Sequence, residues 1–274
     1  MDQRAKAKRF LELHTSGRLL VLPNAWDAGS ARIFEHAGFQ ALGTTSAGVA
    51  LSLGYPDGER VSRAEMLEAV RRTASAVAIP VTADLEAGYG RAVNDAVETA
   101  RGAIAAGAVG MNFEDSTSDD RLVDVAAQVE RIRAIKKLAE AEKIAFVLNA
   151  RTDVFLLGVG EPAGRFDEAV RRANAYREAG ADCLFVPGVT DTETIGRLVR
   201  AITGPLNVLA VRDTPRITEL ERLGVARVSV GSGPMRATLA LTQRIAQELR
   251  ERGTYAGFTE NTPPLRDFNR LFDR

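Results

Sequence analysis

"AVGMNFEDSTSDDRLVDVAAQVERIRAIKKLAEAEKIAFVLNART", residues 108–152, reads as strand, helix and strand without interruption. The apolar run "AVGMNFED" gives way to "RLVDVAAQVERIRAIKKLAEAE", whose apolar residues recur at helical spacing, and the chain returns to a second apolar run, "AFVLNART". The same alternation extends both ways from this unit. Strands are predicted at "LLVLPN", "ALGTTS", "PVTADLE", "CLFVPG", "LNVLAV" and "ARVSVGS", which with the first two makes eight. Helical segments such as "SRAEMLEAVRRTASAV" and "FDEAVRRANAYREAG" separate them, and several end in a glycine suited to a left-handed C-cap, as in "HAGFQALG" and "EAGADCLF". Eight strand-then-helix repeats predict an α/β chain folded as a (β/α)8 TIM-type barrel. Nothing in 1–274 marks a linker, so the chain is one domain, with 234–274 as a C-terminal helical segment. A doubly wound open sheet is the alternative, since periodicity does not report closure.

Composition excludes several partners. Lysine plus arginine equals aspartate plus glutamate at 36 each, so no positive field exists to hold nucleic acid. The opening "MDQRAKAKRFLELHTSG" is too polar for a secretory signal, and no apolar run approaches a membrane span; a cytoplasmic location is expected. The single cysteine, Cys183, lies inside "ADCLFV" and is expected to be a buried apolar residue.

In a barrel, the chemistry gathers where the C-terminal ends of the strands meet. The third strand ends in "VTADLEAGYG", residues 81–90, where Asp84 and Glu86 are two apart and so face the same way. Asp57, from "SLGYPDGER", and Glu114 join them. Four carboxylates around one space repel unless a hard cation lies between them, and Mg2+, which prefers oxygen ligands and retains waters, is the natural candidate, with Mn2+ an acceptable substitute. Arg151 then has a use: its planar fork can take a carboxylate or phosphonate at two points, although pairing with Glu114 or Asp153 would also explain it. A small 2-oxo acid is the economical substrate.

These residues resemble the isocitrate lyase/phosphoenolpyruvate mutase superfamily. The similarity runs from "LPNAWDAGSARIFEHAGFQALGTTS" through "SLGYPDG", "TADLEAGYG", "GMNFED" and "NARTD" to "YREAGADCLFVPG". The resemblance implies a barrel whose last helix is exchanged between subunits, and a Mg2+ that holds a 2-oxo or enolate substrate. By position, Asp84 resembles the direct metal ligand, and Asp57, Glu86 and Glu114 resemble the carboxylates that hold its waters. Thr45, Ser46 and Ala47 match the segment that binds the carboxylate and oxo group. Asp57, Glu114 and Arg151 are therefore the candidate catalytic residues. Thr45, Ser46, Ala47, Asp84, Arg151 and Asn207 are the candidate substrate contacts.

One departure narrows the chemistry. Where the lyases carry a lysine-lysine-cysteine-glycine-histidine type motif, this chain reads "EDSTSDDRLVD", and the lysine and asparagine-serine pair of the phosphonopyruvate mutases is also missing. The simplified loop suits an oxaloacetate-like substrate and a C–C bond cleaved next to the oxo group, in the manner of a decarboxylase. A phosphonopyruvate or carboxyphosphonoenolpyruvate mutase or hydrolase is the enzymatic alternative, and a non-catalytic 2-oxo acid binder the other. The loop from Ser116 to Asp124 lacks apolar anchors and is expected to be a mobile lid carrying no acid or base, Ser116, Thr117 and Ser118 included. His14, His36, the glycine-rich "VGSGPMR" and the charged "ERIRAIKKLAEAEK" are assigned structural or surface roles. The tail presents Leu265, Phe268, Leu271 and Phe272 at helical spacing, an apolar stripe that predicts a homo-oligomer, dimer or tetramer.

Overall fold

A computed structural model describes residues 1–117 and 119–273 of the chain. Nine all-parallel strands form one ring: β1 Leu20–Leu22, β2 Asn24–Ala25, β3 Leu42–Thr44, β4 Val81–Asp84, β5 Gly110–Glu114, β6 Val147–Arg151, β7 Cys183–Phe185, β8 Leu206–Leu209 and β9 Arg227–Ser229. The helices are α1 Gln3–Thr15, α2 Ala28–His36, α3 Ser46–Ser52, α4 Arg63–Ala76, α5 Val93–Ala105, α6 Val125–Ala141, α7 Arg165–Glu178, α8 Thr192–Ala201, α9 Ile217–Leu223, α10 Gly233–Arg252, α11 Ala256–Thr259 and α12 Leu265–Phe272. The eight predicted strands are all present, and the ninth arises because the first is divided. Pro23 has no amide to give to a ladder, and around it the strand changes partner: β1 pairs with β9, β2 with β3. This is the TIM-type barrel expected, not an open sheet.

Asn24 fastens the seam. Its Oδ1 accepts from the amides of Val230 and Gly231 at 2.9 and 3.0 Å, and its Nδ2 donates to the Thr44 carbonyl at 2.8 Å, joining last strand, first strand and second. At Gly43 a Cβ would lie 2.8 Å from Asn24 Nδ2, so a side chain there would push the Asn24 amide out of the seam. Below, α1 stoppers the barrel: Phe10 and His14 are buried, the His14 Nδ1 lies 2.8 Å from the Phe10 carbonyl, and the two rings stack edge-on.

Two local expectations change. The second strand stops at Thr44 because Thr45 is an N-cap, its hydroxyl accepting from the Gly48 amide at 3.3 Å to begin α3. The loop after β5 does have an apolar anchor. Leu122 packs on the core, Ser116 and Leu122 form an antiparallel bridge, and the Val123 amide donates to the Asp115 carbonyl at 2.7 Å, leaving 119–121 exposed. Ser118 lies outside the described residues.

Of the C-terminal segment, α10 stands off the barrel with only Met235 and Glu248 buried along its length. Then α12 folds back onto α2, where Arg32 Nε donates to the Leu271 carbonyl at 2.9 Å. Among the described residues, no helix is long and apolar enough to cross a membrane.

Candidate active site

The ends of β3 to β6 converge on a cavity of about 800 Å³ whose lining includes Asp57, Glu86, Glu114, Arg151 and Asp153. Asp84, at the end of β4, is 9 % exposed and lies outside that lining. One of its oxygens, Oδ2, accepts from both the amide and the hydroxyl of Ser46, at 2.9 and 2.8 Å, and Oδ1 accepts from Asn112 Nδ2 at 3.2 Å. Ser46 is the first residue of α3, so that helix brings a backbone N–H to the carboxylate. Thr45 is buried and committed to its cap, and Ala47 beside them is half-buried.

Glu86 sits in a left-handed backbone conformation, φ +50°, with its carboxyl clasped: Oε2 accepts from the Glu59 amide at 2.6 Å and Oε1 from the Tyr89 hydroxyl at 3.3 Å. Burial, then the negative charges of Asp84 and Asp57, push its carboxyl up to about 8. Asp57 hangs over the mouth from an exposed loop. Burial on its cavity side, and to a lesser extent Asp84, raises it, while the Gly58 amide, donating at 3.0 Å, and more weakly Arg151 oppose.

Arg151 is held from two sides, by Glu114 (Nη1 to Oε2, 2.8 Å) and by Asp153 (Nε to Oδ1, 2.6 Å). Its Nη2 takes part in neither pair. Burial weakens the cation, but Glu114 and Asp153 more than reverse that and fix it as a guanidinium. Glu114 also accepts from Ser116 Oγ at 2.9 Å, and burial raises its carboxyl against the pull of Arg151.

Asn207, a candidate substrate contact, and Asp115, the neighbour of Glu114, are engaged elsewhere. Asn207 is fully buried, its amide exchanging hydrogen bonds with Ser229 at 3.1 and 3.2 Å, and is not brought to the cavity. Asp115 faces outward into a buried cluster, accepting from Tyr176 at 2.7 Å and Arg172 at 3.1 Å. Conversely, Asn112 escaped notice although it lies two residues before Glu114, on the same face by strand parity. Glu59 and Tyr89, which clasp Glu86, carry no periodic signal because both lie in loops.

Asp57, Asp84, Glu86 and Glu114 supply only hard oxygen donors, and burial first, with neighbouring negative charge second to it, raises the carboxyls of Asp57, Glu86 and Glu114. Among the described residues, no three such side chains stand close enough to share one ion directly. The set thus fits a hydrated divalent cation with one direct carboxylate better than a closed protein cage.

A family model described as phosphoenolpyruvate phosphomutase matches residues 10–250. The chain belongs to the isocitrate lyase/PEP mutase superfamily. Within this superfamily, a solved structure from Burkholderia cenocepacia, provisionally described as a lyase/mutase, superposes with TM-score 0.92 at 42 % identity, covering 99 % of this chain and 97 % of that one. An uncharacterized protein of Mycobacterium tuberculosis is 39 % identical over 84 % of either chain. The oxaloacetate decarboxylase of Rhodopseudomonas palustris is 32 % identical over 86 % of this chain and 82 % of its own.

Proposed function

We propose that this superfamily member is a Mg2+-dependent enzyme that cleaves the C–C bond next to the oxo group of a small 2-oxo acid such as oxaloacetate. The observation that carries the reading is Arg151 immobilised between Glu114 and Asp153 beside the Asp84 carboxylate: a fixed cation for an acid group next to an oxygen site for a divalent ion. Asp84 would hold the ion directly, with Asp57, Glu86 and Glu114 holding its waters. The ion, when bound, supplies a positive charge against the oxyanion that develops as the bond breaks.

The chain's own residues set the geometry. Ser46 keeps Asp84 aimed, since its amide and its hydroxyl both fix one carboxylate oxygen. Arg151, held by Glu114 and Asp153, orients the far carboxylate through Nη2, which is in neither pair. Carbon dioxide leaves from that end, the electron pair of the broken bond moves through the adjoining carbon into the 2-oxo group, and the resulting enolate takes a proton from solvent as the site reopens. The short hairpin after β5 excludes water without adding an acid or base. The relative that acts on oxaloacetate supports this choice of substrate. The test is pyruvate formation from oxaloacetate above the metal-only background, run beside phosphorus NMR with phosphonopyruvate. A phosphonate product with no decarboxylation would move the enzyme to C–P chemistry, the second reading, favoured by the description of the matching family model and by a guanidinium that grips phosphonate as well as carboxylate.

The same reading includes assembly. The stand-off of α10, with Leu239, Leu241 and Leu249 exposed along it, and Leu265 and Phe272 exposed on α12, support a homo-oligomer that exchanges or clasps these C-terminal helices. A cytoplasmic location agrees with the balanced charge.

A further inference from the structure

The four carbonyls of the loop 87–90 are all claimed by side chains reaching in from surrounding helices. Thr99 Oγ1 of α5 donates to the Gly88 carbonyl at 2.7 Å, and Arg63 Nη2 of α4 donates to that of Tyr89 at 2.7 Å. Both remaining carbonyls, Ala87 and Gly90, accept from one atom, Arg131 Nη2 of α6, the latter at 2.8 Å. The loop has reason to need holding. Glu86, Gly88, Tyr89 and Gly90 have φ of +50°, +93°, +56° and +148°, and two of these are not glycine. Glu86 is the first of the four, so the strain sits directly on its backbone.

Arg131 is a poor choice for a surface ion pair and a good one for a brace. It is 3 % exposed, lies over the Phe113 ring at 4.6 Å and makes no salt bridge among the described residues. Its Nη1 donates to Gln128 Oε1 at 3.1 Å, and Gln128, itself fully buried, donates through Nε2 to the Glu114 carbonyl at 3.0 Å. One guanidinium therefore ties the backbone after Glu86 and, through Gln128, the backbone of Glu114. Lysine could not reproduce a planar fork spanning three acceptors while stacked on a ring.

We propose that Arg131 is a positioning residue that sets the placement of the Glu86 and Glu114 carboxylates from behind the site, by holding the left-handed loop 87–90 and the end of β5 in one frame. Its consequence for cation binding rests on the metal reading given above. Its mechanical content does not.

Two measurements separate these. In Arg131→Met, amide hydrogen exchange across 86–90 should quicken at least about tenfold while the rest of the barrel stays protected. Mn2+, used as the probe in titration calorimetry and electron paramagnetic resonance, should bind about tenfold or more weakly, in the range that partners of metal-holding side chains contribute. Arg131→Lys should recover part of both losses, and turnover should fall through kcat more than through KM. If Arg131→Met does not fold, Gly88→Ala applies the same displacement from the other side. A Cβ there would lie 2.8 Å from Phe113 and 3.2 Å from Arg131 Nη2, so it should show the same pair of changes. Unchanged exchange in the loop overturns the proposal, as does wild-type Mn2+ affinity in a folded Arg131→Met protein. Should the wild-type protein bind no Mn2+ at all, the metal reading falls, and loop exchange alone decides Arg131.

Discussion

Ser46 donates twice to a single oxygen of Asp84, from its amide at 2.9 Å and from its hydroxyl at 2.8 Å. One carboxylate oxygen is thereby spent on orientation, and the group is fixed before any ligand arrives.

Asp84→Asn should therefore remove more Mg2+ or Mn2+ affinity than the about 10- to 100-fold that outer partners are worth, and chelation of the wild type with EDTA should abolish turnover. Ser46→Ala, which keeps the amide, should cost about tenfold. Calorimetric titration of the two variants checks the order, and full activity after EDTA treatment would sink the metal reading.

Arg151→Lys should lose about 100-fold or more in kcat/KM, because an ammonium cannot satisfy Glu114, Asp153 and the substrate at once. Ser116→Ala and Thr117→Ala should each change kcat less than about tenfold, roughly 1.4 kcal/mol in the barrier. A hairpin alanine as damaging as Asp84→Asn would place a proton carrier in that loop.

His14 supplies a pH test away from the site. Burial, then the charge of Arg227, lowers its imidazole from 6.5 to about 4. The folded value is depressed, so the unfolded chain takes up the proton first as pH falls, and stability present above 6.5 is lost toward 4. Between pH 7 and pH 5 this amounts to about 2 kcal/mol. In urea denaturation the stability difference between wild type and His14→Gln should change by about that amount between the two pH values, the carboxyls common to both cancelling, and an unchanged difference would refute it.

Light scattering at micromolar concentration should give the mass of a dimer or tetramer. Leu239→Glu with Leu249→Glu should shift it toward the monomer. A monomeric wild type would leave the exposed faces of α10 and α12 without the partner assigned to them.

Cys183, fully buried with its thiol pushed up to about 12 by burial, should resist a thiol reagent until the protein unfolds. Rapid native modification would contradict its place inside the barrel.

The eight strands and the acidic mouth were legible because period-2 parity and apolar runs are local properties: Asp84 and Glu114 are where strand ends had to put them. The division at Pro23 was not legible, since a proline in "LLVLPN" reads equally as the end of a strand. Nor was the retirement of Asn207 into the barrel wall, because its partner Ser229 is 22 residues away on the next strand. For Arg151 the sequence leaves open a substrate grip or pairing with Glu114 or Asp153. The structure pairs it with both Glu114 and Asp153, through Nη1 and Nε, an outcome that spacing alone could not separate.

The seam at Asn24 also governs when this molecule can become whole. The amides that satisfy its Oδ1 are 206 and 207 residues further along the chain. Until β9 exists, Leu20–Leu22 is an open strand edge with unpaired backbone groups, the kind of edge that templates association with other chains. Closing so long a loop carries the largest chain-entropy cost of any pairing in the ring, about (3/2)RT ln n for n residues. Synthesis thus leaves the barrel unclosed until its final strand is made, and the edge of β1 stays open to misassembly for that time.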